Sequence, residues 1–224
     1  RSQYFGRADG FKMRNFWKNN RVLILFITLM VLFRTSIADW NTVPTGSMNP
    51  TIIEGDRVWV NKVAYDLKLP LTNISLINFA APERGDIVIF DSEKAGKRLV
   101  KRVIGLPGDT VSMANNVINL NGDTLRYKIL DKQANKLIAE EKYKKLGYRI
   151  QVNTFSTNNS NFYNVKIPDD YYLVLGDNRD NSADSRYIGL IPRHEIIGRA
   201  RIVVMSLNYE NYYLPRANRF FYKL

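Results

Sequence analysis

The chain has 224 residues, no cysteine and a single histidine, with 33 Lys and Arg against 21 Asp and Glu for a formal charge of +12. The absence of thiols excludes a disulfide scaffold, a cysteine nucleophile and zinc sites of the Cys/His type. The positive charge is concentrated in residues 1–21 and 111–167. No nucleic-acid-binding pattern accompanies either block, so the first is read as topogenic and the second as facing anionic lipid.

Residues 1–21 form a basic arm in which Arg1, Arg7, Lys12, Arg14, Lys18 and Arg21 stand against Asp9 alone. The run Val22–Phe33 (VLILFITLMVLF) is almost wholly apolar. By itself it is short for a span. Extended over 22–38 it reaches about 25 Å at 1.5 Å per residue, with Arg34 reaching for an interface and Trp40 as an anchor beyond. A transmembrane anchor over 22–38 is therefore expected, with a cleaved signal peptide or a buried core helix as alternatives. The Lys/Arg excess before it places the N-terminus in the cytoplasm and everything after residue 40 across the bilayer. The chain opens on Arg1 without methionine, which leaves room for an earlier span.

Next stands Pro44-Thr45-Gly46-Ser47-Met48-Asn49-Pro50-Thr51. Two prolines and a glycine fix the backbone around one small hydroxyl, as a loop that presents a nucleophile does. His194, in Ile191-Pro192-Arg193-His194-Glu195, reads as an exposed turn residue. A base for Ser47 is therefore sought among the lysines, whose amine becomes basic only when burial lowers its pKa. Lys101 is the candidate, because Leu99, Lys101 and Val103 share one face of an expected strand. Apolar neighbours favour desolvation, yet the pattern equally fits a lysine whose tip reaches water, and the spacing leaves both open. Arg102, on the other face, stays charged regardless.

Strand-like runs at Arg57–Ala64, Asp86–Asp91, Leu99–Ile104, Thr110–Met113, Val117–Leu120, Leu125–Leu130, Tyr172–Leu175 and Arg199–Ser206 predict an all-β body. Asn121-Gly122 marks a hairpin turn. Residues 111–167 change character, with nine Lys and Arg against four Asp and Glu and a helical pattern near Leu130–Leu146. After the apolar Tyr171–Leu175 comes Gly176-Asp177-Asn178-Arg179-Asp180-Asn181-Ser182-Ala183-Asp184-Ser185-Arg186-Tyr187. Counted from Asp177 or Asp180, a calcium loop fails at its glycine and glutamate positions, so a fixed hydrogen-bonding network is expected. The aromatic tail Tyr209–Leu224, with Arg216, Arg219 and Lys223, is expected to pack on the core, an interfacial membrane contact being the alternative.

Together these segments resemble bacterial type I signal peptidase (leader peptidase), a family of Ser/Lys proteases. The resemblance is carried by Pro-Thr-Gly-Ser-Met-Asn-Pro-Thr, Gly55-Asp56-Arg57-Val58, Arg84-Gly85-Asp86-Ile87-Val88, Lys101-Arg102-Val103-Ile104-Gly105-Leu106-Pro107-Gly108-Asp109, and Gly176-Asp177 to Arg186. It implies Ser47 as nucleophile and Lys101 as general base. The Ser47 N–H and the Thr45 hydroxyl, where the family commonly has serine, would form the oxyanion hole. Ser182 would hydrogen-bond the Lys101 amine, and Asp177, Asp184 and Arg186 would support the site, with Asp177 pairing Arg102. Val43, Pro44, Met48 and Leu99 would line shallow apolar pockets. Some relatives carry tyrosine where Leu99 stands and tryptophan where Ile188 stands, which bears on pocket lining rather than on the dyad.

The implied architecture is a basic segment (1–21), an anchor (22–38), a catalytic β domain in two parts (39–110 and 168–224) and an inserted smaller β-rich subdomain (111–167). The implied activity is removal of N-terminal signal peptides from exported preproteins, cutting after small residues in an Ala-x-Ala-like pattern. It would act on the outer side of the bacterial cytoplasmic membrane, with preprotein and lipid bilayer as partners and no cofactor, metal or nucleic acid. A different Ser/Lys protease of related fold and a non-catalytic, membrane-tethered binding protein are the competing readings. The anchor and the missing DNA-binding domain argue against a self-cleaving repressor. Intact Ser47, Lys101 and Ser182 argue against a binding protein.

Overall fold

The computed structural model describes residues 7–36, 38–69, 75–154 and 161–224, with the side chains of 7–16 and 32–38 outside that description. From the N-terminus the described residues form helix α1 (Arg7–Ser36), then β1 (Ala38–Thr42), β2 (Asp56–Asn61), β3 (Asp66–Lys68), β4 (Ser75–Asn78), β5 (Ile87–Ser92) and β6 (Lys97–Gly105). There follow β7 (Thr110–Ala114), β8 (Val117–Leu120), β9 (Asp123–Thr124), β10 (Arg126–Lys132), β11 (Lys136–Tyr143), β12 (Leu146–Asn153) and β13 (Phe162–Lys166). The chain closes through β14 (Tyr171–Leu175), a one-turn α2 (Ser185–Ile188), β15 (Ile191–Pro192), the long β16 (Ile196–Asn208), β17 (Leu214–Pro215) and β18 (Tyr222–Lys223). The fold is mostly β.

One antiparallel sheet in the order β1-β2-β16-β5-β6-β14-β15, with β17 and β18 added to β16, carries the catalytic candidates. Its centre shows why these residues become strands. In β5, Ile87, Val88, Ile89 and Phe90 are all buried, a continuous apolar run rather than an alternating one. Ile87 and Ile89 join Val58, Val60 and Val203 on one face, while Val88 and Phe90 join Val103, Tyr172 and Val174 on the other. A strand covered on both faces has no polar side to alternate with. A third cluster, with Val111, Met113, Ile118 and Leu120 against Ile104 and Leu173, fastens the 111–167 block to β6 and β14. Each such fully buried aliphatic side chain contributes about 2 kcal/mol. The two ends of the block meet: Gly108 N–H donates to Ile167 O at 2.9 Å, and Ile167 N–H to Asp109 O at 2.8 Å.

Three expectations are corrected. The helical pattern near Leu130–Leu146 is instead the hairpin β10–β11 leading into β12. Helix-forming Lys, Ala and Glu are overridden by ladders on both sides of β11, which bury Ala139 and Glu141 at strand spacing. The tail does not pack as core: Tyr212, Tyr213, Leu214, Phe220 and Phe221 are exposed, because the tail only adds two-residue strands to β16. Leu224 alone among the described tail residues joins an apolar cluster.

The apolar run belongs to a longer helix, which starts at Arg7 and stops at Ser36, so that Ala38 opens β1 instead of ending an anchor. Among the described residues no helix is long and apolar enough to cross a membrane. Twelve apolar residues reach only about 18 Å against a hydrocarbon layer of about 30 Å, and Arg21 and Arg34 bracket them. From Val22 to Val31 every side chain except Ile24 is nonetheless exposed. The side chain of Arg34, expected to reach for an interface, and residues 1–6 of the basic arm lie outside the described residues.

Candidate active site

Ser47 sits in a single 3-10 turn, Gly46–Met48, entered by Thr45 in extended conformation. Met48 is fully buried in the apolar cluster beneath and so pins the turn; it is a core residue, not the pocket-lining residue expected. The first N–H groups of a helical turn lack partners within it, and the Ser47 N–H meets no acceptor among the described residues.

Strand β6 delivers Lys101. Its Nζ lies 2.8 Å from Ser47 Oγ and donates to Val100 O at 2.9 Å. Val88 stands opposite on β5, and Leu99 and Val103 flank it on the same face, leaving Lys101 only 2% exposed. Burial pushes the amine down to about 8, with Asp184 and Asp177 pulling weakly the other way. The tip is inside, which answers what the strand pattern left open.

The loop after β14 closes over this pair. Gly176 has to be glycine, since a Cβ there would meet Ser182 Oγ at 2.2 Å and Ser47 O at 2.5 Å. Its N–H donates to Asp184 Oδ2 at 2.9 Å, and Arg186 holds the same carboxylate through Nε (2.8 Å) and Nη2 (2.7 Å). Asn178 grips the Ser47 turn directly, its N–H donating to Ser47 O at 3.1 Å and its Nδ2 to Gly46 O at 2.9 Å. Arg102 and Asp177 form a buried two-point pair, at 2.8 and 2.7 Å, with the guanidinium 4.4 Å above the Tyr148 ring. Ser182 is buried beside Gly176, but its hydroxyl has no partner among the described residues. The expected bond from Ser182 to the Lys101 amine is not formed; the amine donates to Ser47 Oγ and Val100 O.

In front of Ser47 and Lys101 lies a cleft of about 360 Å³ lined by Val43, Pro44, Thr45, Leu99, Val100 and Ala183, with Glu54 and Lys97 at its polar side. Along its floor β6 presents an open edge. β5 pairs with Lys97–Arg102 on one side, whereas β14 takes up the other only from Arg102 onward. His194 is exposed and lines a different hollow, beside Lys68 and Asp66. It brings a ligand atom within 4.8 Å of others from Glu93 and Glu195. Asn178, Arg179 and Glu141 were not foreseen. The crowded amides of 176–187 could have flagged Asn178, but nothing local in sequence ties Glu141 to that loop.

Residues 16–205 match the family described as Signal peptidase, peptidase S26. The chain belongs to that family, the type I signal peptidases. It is 34% identical over 202 residues to Signal peptidase I of Pseudomonas aeruginosa, covering 82% of this chain and 69% of that one. It is 34% identical over 193 residues to Signal peptidase I of Bacillus amyloliquefaciens, covering 86% of each. A crystal structure of a signal peptidase I from Enterococcus faecalis V583 aligns with 55% of this chain and 98% of its own at 27% identity, with a TM-score of 0.37. Membership makes the chain a serine peptidase.

Proposed function

We propose that the chain removes signal peptides from exported preproteins by a Ser47/Lys101 dyad. The observation that carries this is an amine lowered to about 8 and 2.8 Å from a hydroxyl. In its neutral form the lone pair of Nζ accepts the Ser47 proton as Oγ attacks the scissile carbonyl. The unpaired Ser47 N–H and the Thr45 hydroxyl at the cleft wall would receive the oxyanion, each such donor being worth about 3 kcal/mol. The protonated amine then returns its proton to the leaving nitrogen. A water activated by the same amine hydrolyses the acyl-enzyme. Ser182 is buried against Gly176, and Asp177, Asp184, Arg186 and Arg102 hold the loop that confines the amine.

The open edge of β6 suits a substrate in extended conformation, laid beside Lys97–Lys101 with alternate side chains entering the cleft. Walls of Val43, Pro44 and Leu99 favour small apolar residues. The exposed apolar flank of α1, with the basic residues before it, supports attachment to a bilayer that also confines the substrate, raising its effective concentration. The test is cleavage of a purified preprotein in detergent by the wild type beside Ser47→Ala. The wild type is expected to release the mature protein, with loss of at least about 10³-fold in the variant. Equal rates would discard Ser47 as nucleophile.

A further inference from the structure

Glu141 lies fully buried on β11, within the 111–167 block. It accepts from Tyr127 Oη at 2.8 Å on Oε2, and from Tyr148 Oη and Arg179 Nη2 (2.7 Å) on Oε1. Burial pushes both phenols above their ordinary range, which keeps them donors. A carboxylate this enclosed is tolerated only when its charge is matched. The match is Arg179, itself 1% exposed and located in the loop that covers Ser47.

From Arg179 the contacts run straight into the site. Its carbonyl accepts from Arg186 Nη2, Arg186 holds Asp184, and Asp184 takes the Gly176 N–H. One residue earlier, Asn178 holds the carbonyls of Gly46 and Ser47. Tyr148, bonded to Glu141, supports Arg102, the neighbour of Lys101. Strand β12 runs beside the same loop: Gln151 N–H donates to Asp177 O at 2.8 Å, Gln151 Nε2 to Asn178 Oδ1 at 3.2 Å, and Asn153 N–H to Asp180 Oδ2 at 2.6 Å.

We propose that the 111–167 block acts as a brace for the catalytic loop, and that Glu141 is the positioning residue through which it fixes Ser47 against Lys101. The idea rests on the proteolytic reading given above. Glu141 does not line the cleft, so it does not touch substrate. Without its charge, Arg179 is left as a buried unpaired cation, and the loop must loosen to hydrate it. Loosening releases the Gly46 and Ser47 carbonyls and lets water reach the Lys101 amine.

The test uses the full chain in detergent, with Glu141→Gln and, as a milder variant that keeps the ion pair, Tyr148→Phe. For Glu141→Gln, kcat per folded enzyme is expected to fall 10- to 100-fold with KM within about twofold. The acid-side midpoint of kcat should climb from near pH 8 by about one unit, because a rehydrated amine moves back toward the ordinary lysine range. Tyr148→Phe should move both quantities in the same direction by severalfold less. Amide exchange gives a readout free of activity: the Gly176 and Asn178 amides should exchange at least tenfold faster in Glu141→Gln, with Val58 and Val88 unchanged. A lower melting temperature with wild-type kcat, pH midpoint and loop exchange would mean that Glu141 only stabilises the fold, and would overturn the proposal. Should Glu141→Gln not fold, Tyr148→Phe with wild-type kcat and exchange does the same. A wild type that cleaves nothing defeats the proteolytic reading, while the exchange comparison still decides the brace.

Discussion

At the scale of the residue, the site is a compromise between stability and chemistry centred on Lys101. Its folded-state pKa of about 8 lies below the ordinary 10.5. Between these values the unfolded chain binds one proton more than the folded one, so stability rises as pH climbs through that window. Below pH 8 the folded state carries a full desolvation penalty on the order of 3 kcal/mol. Lys101→Met removes that penalty together with two hydrogen bonds worth about 1 kcal/mol each. The expected result is loss of cleavage with a gain of about 1 kcal/mol in stability at pH 7 that turns into a loss of about 1–2 kcal/mol by pH 10.5, measured by denaturant unfolding at several pH values. A variant less stable than wild type at pH 7 would contradict the account.

At the scale of the element, three short segments have to converge: the Gly46–Met48 turn, the β6 edge and the loop from Gly176 to Arg186. At Gly176 the loop lies tight against the turn, since a Cβ there would collide with Ser182 and with Ser47 O. Gly176→Ala is therefore expected to lower kcat by at least 10²-fold while far-UV circular dichroism stays that of the wild type. Full activity in this variant would show that the loop need not lie so close. Much of this convergence was legible beforehand. The Pro-Gly-Ser loop announced a presented hydroxyl, and the alternation around Lys101 put it beside Leu99 and Val103. What escaped the sequence were contacts with no local signature. Whether the Lys101 tip turned inward depended on Ser47 and Val100 O. Met48 went to the core because the turn has only one face free for the cleft. Glu141 has no local mark of burial, and the helical pattern around it yielded to the ladders of β10 and β12.

At the scale of the whole molecule, one sheet bears the chemistry, a second block supports it, and a helix with exposed apolar sides leads in. The strand centres were readable because β5 from Ile87 to Phe90 and β14 from Tyr171 to Leu175 are continuous apolar runs. The helix bounds were not, since Lys and Arg residues before Val22 are good helix formers and extend it to Arg7. Membrane attachment through this helix predicts that the full chain floats with vesicles containing anionic lipid. Phe26→Asp with Leu29→Asp should leave most of the protein in the dense fraction. If both proteins float equally, α1 is not what binds the bilayer.

The most direct measurement is kcat/KM for preprotein cleavage by the wild type from pH 5 to pH 11, which reports the free enzyme's essential base. A rise with its midpoint near pH 8 is predicted, from the buried amine of Lys101. A midpoint near 10.5, or a rate flat down to pH 5, would contradict a neutral lysine as the base for Ser47.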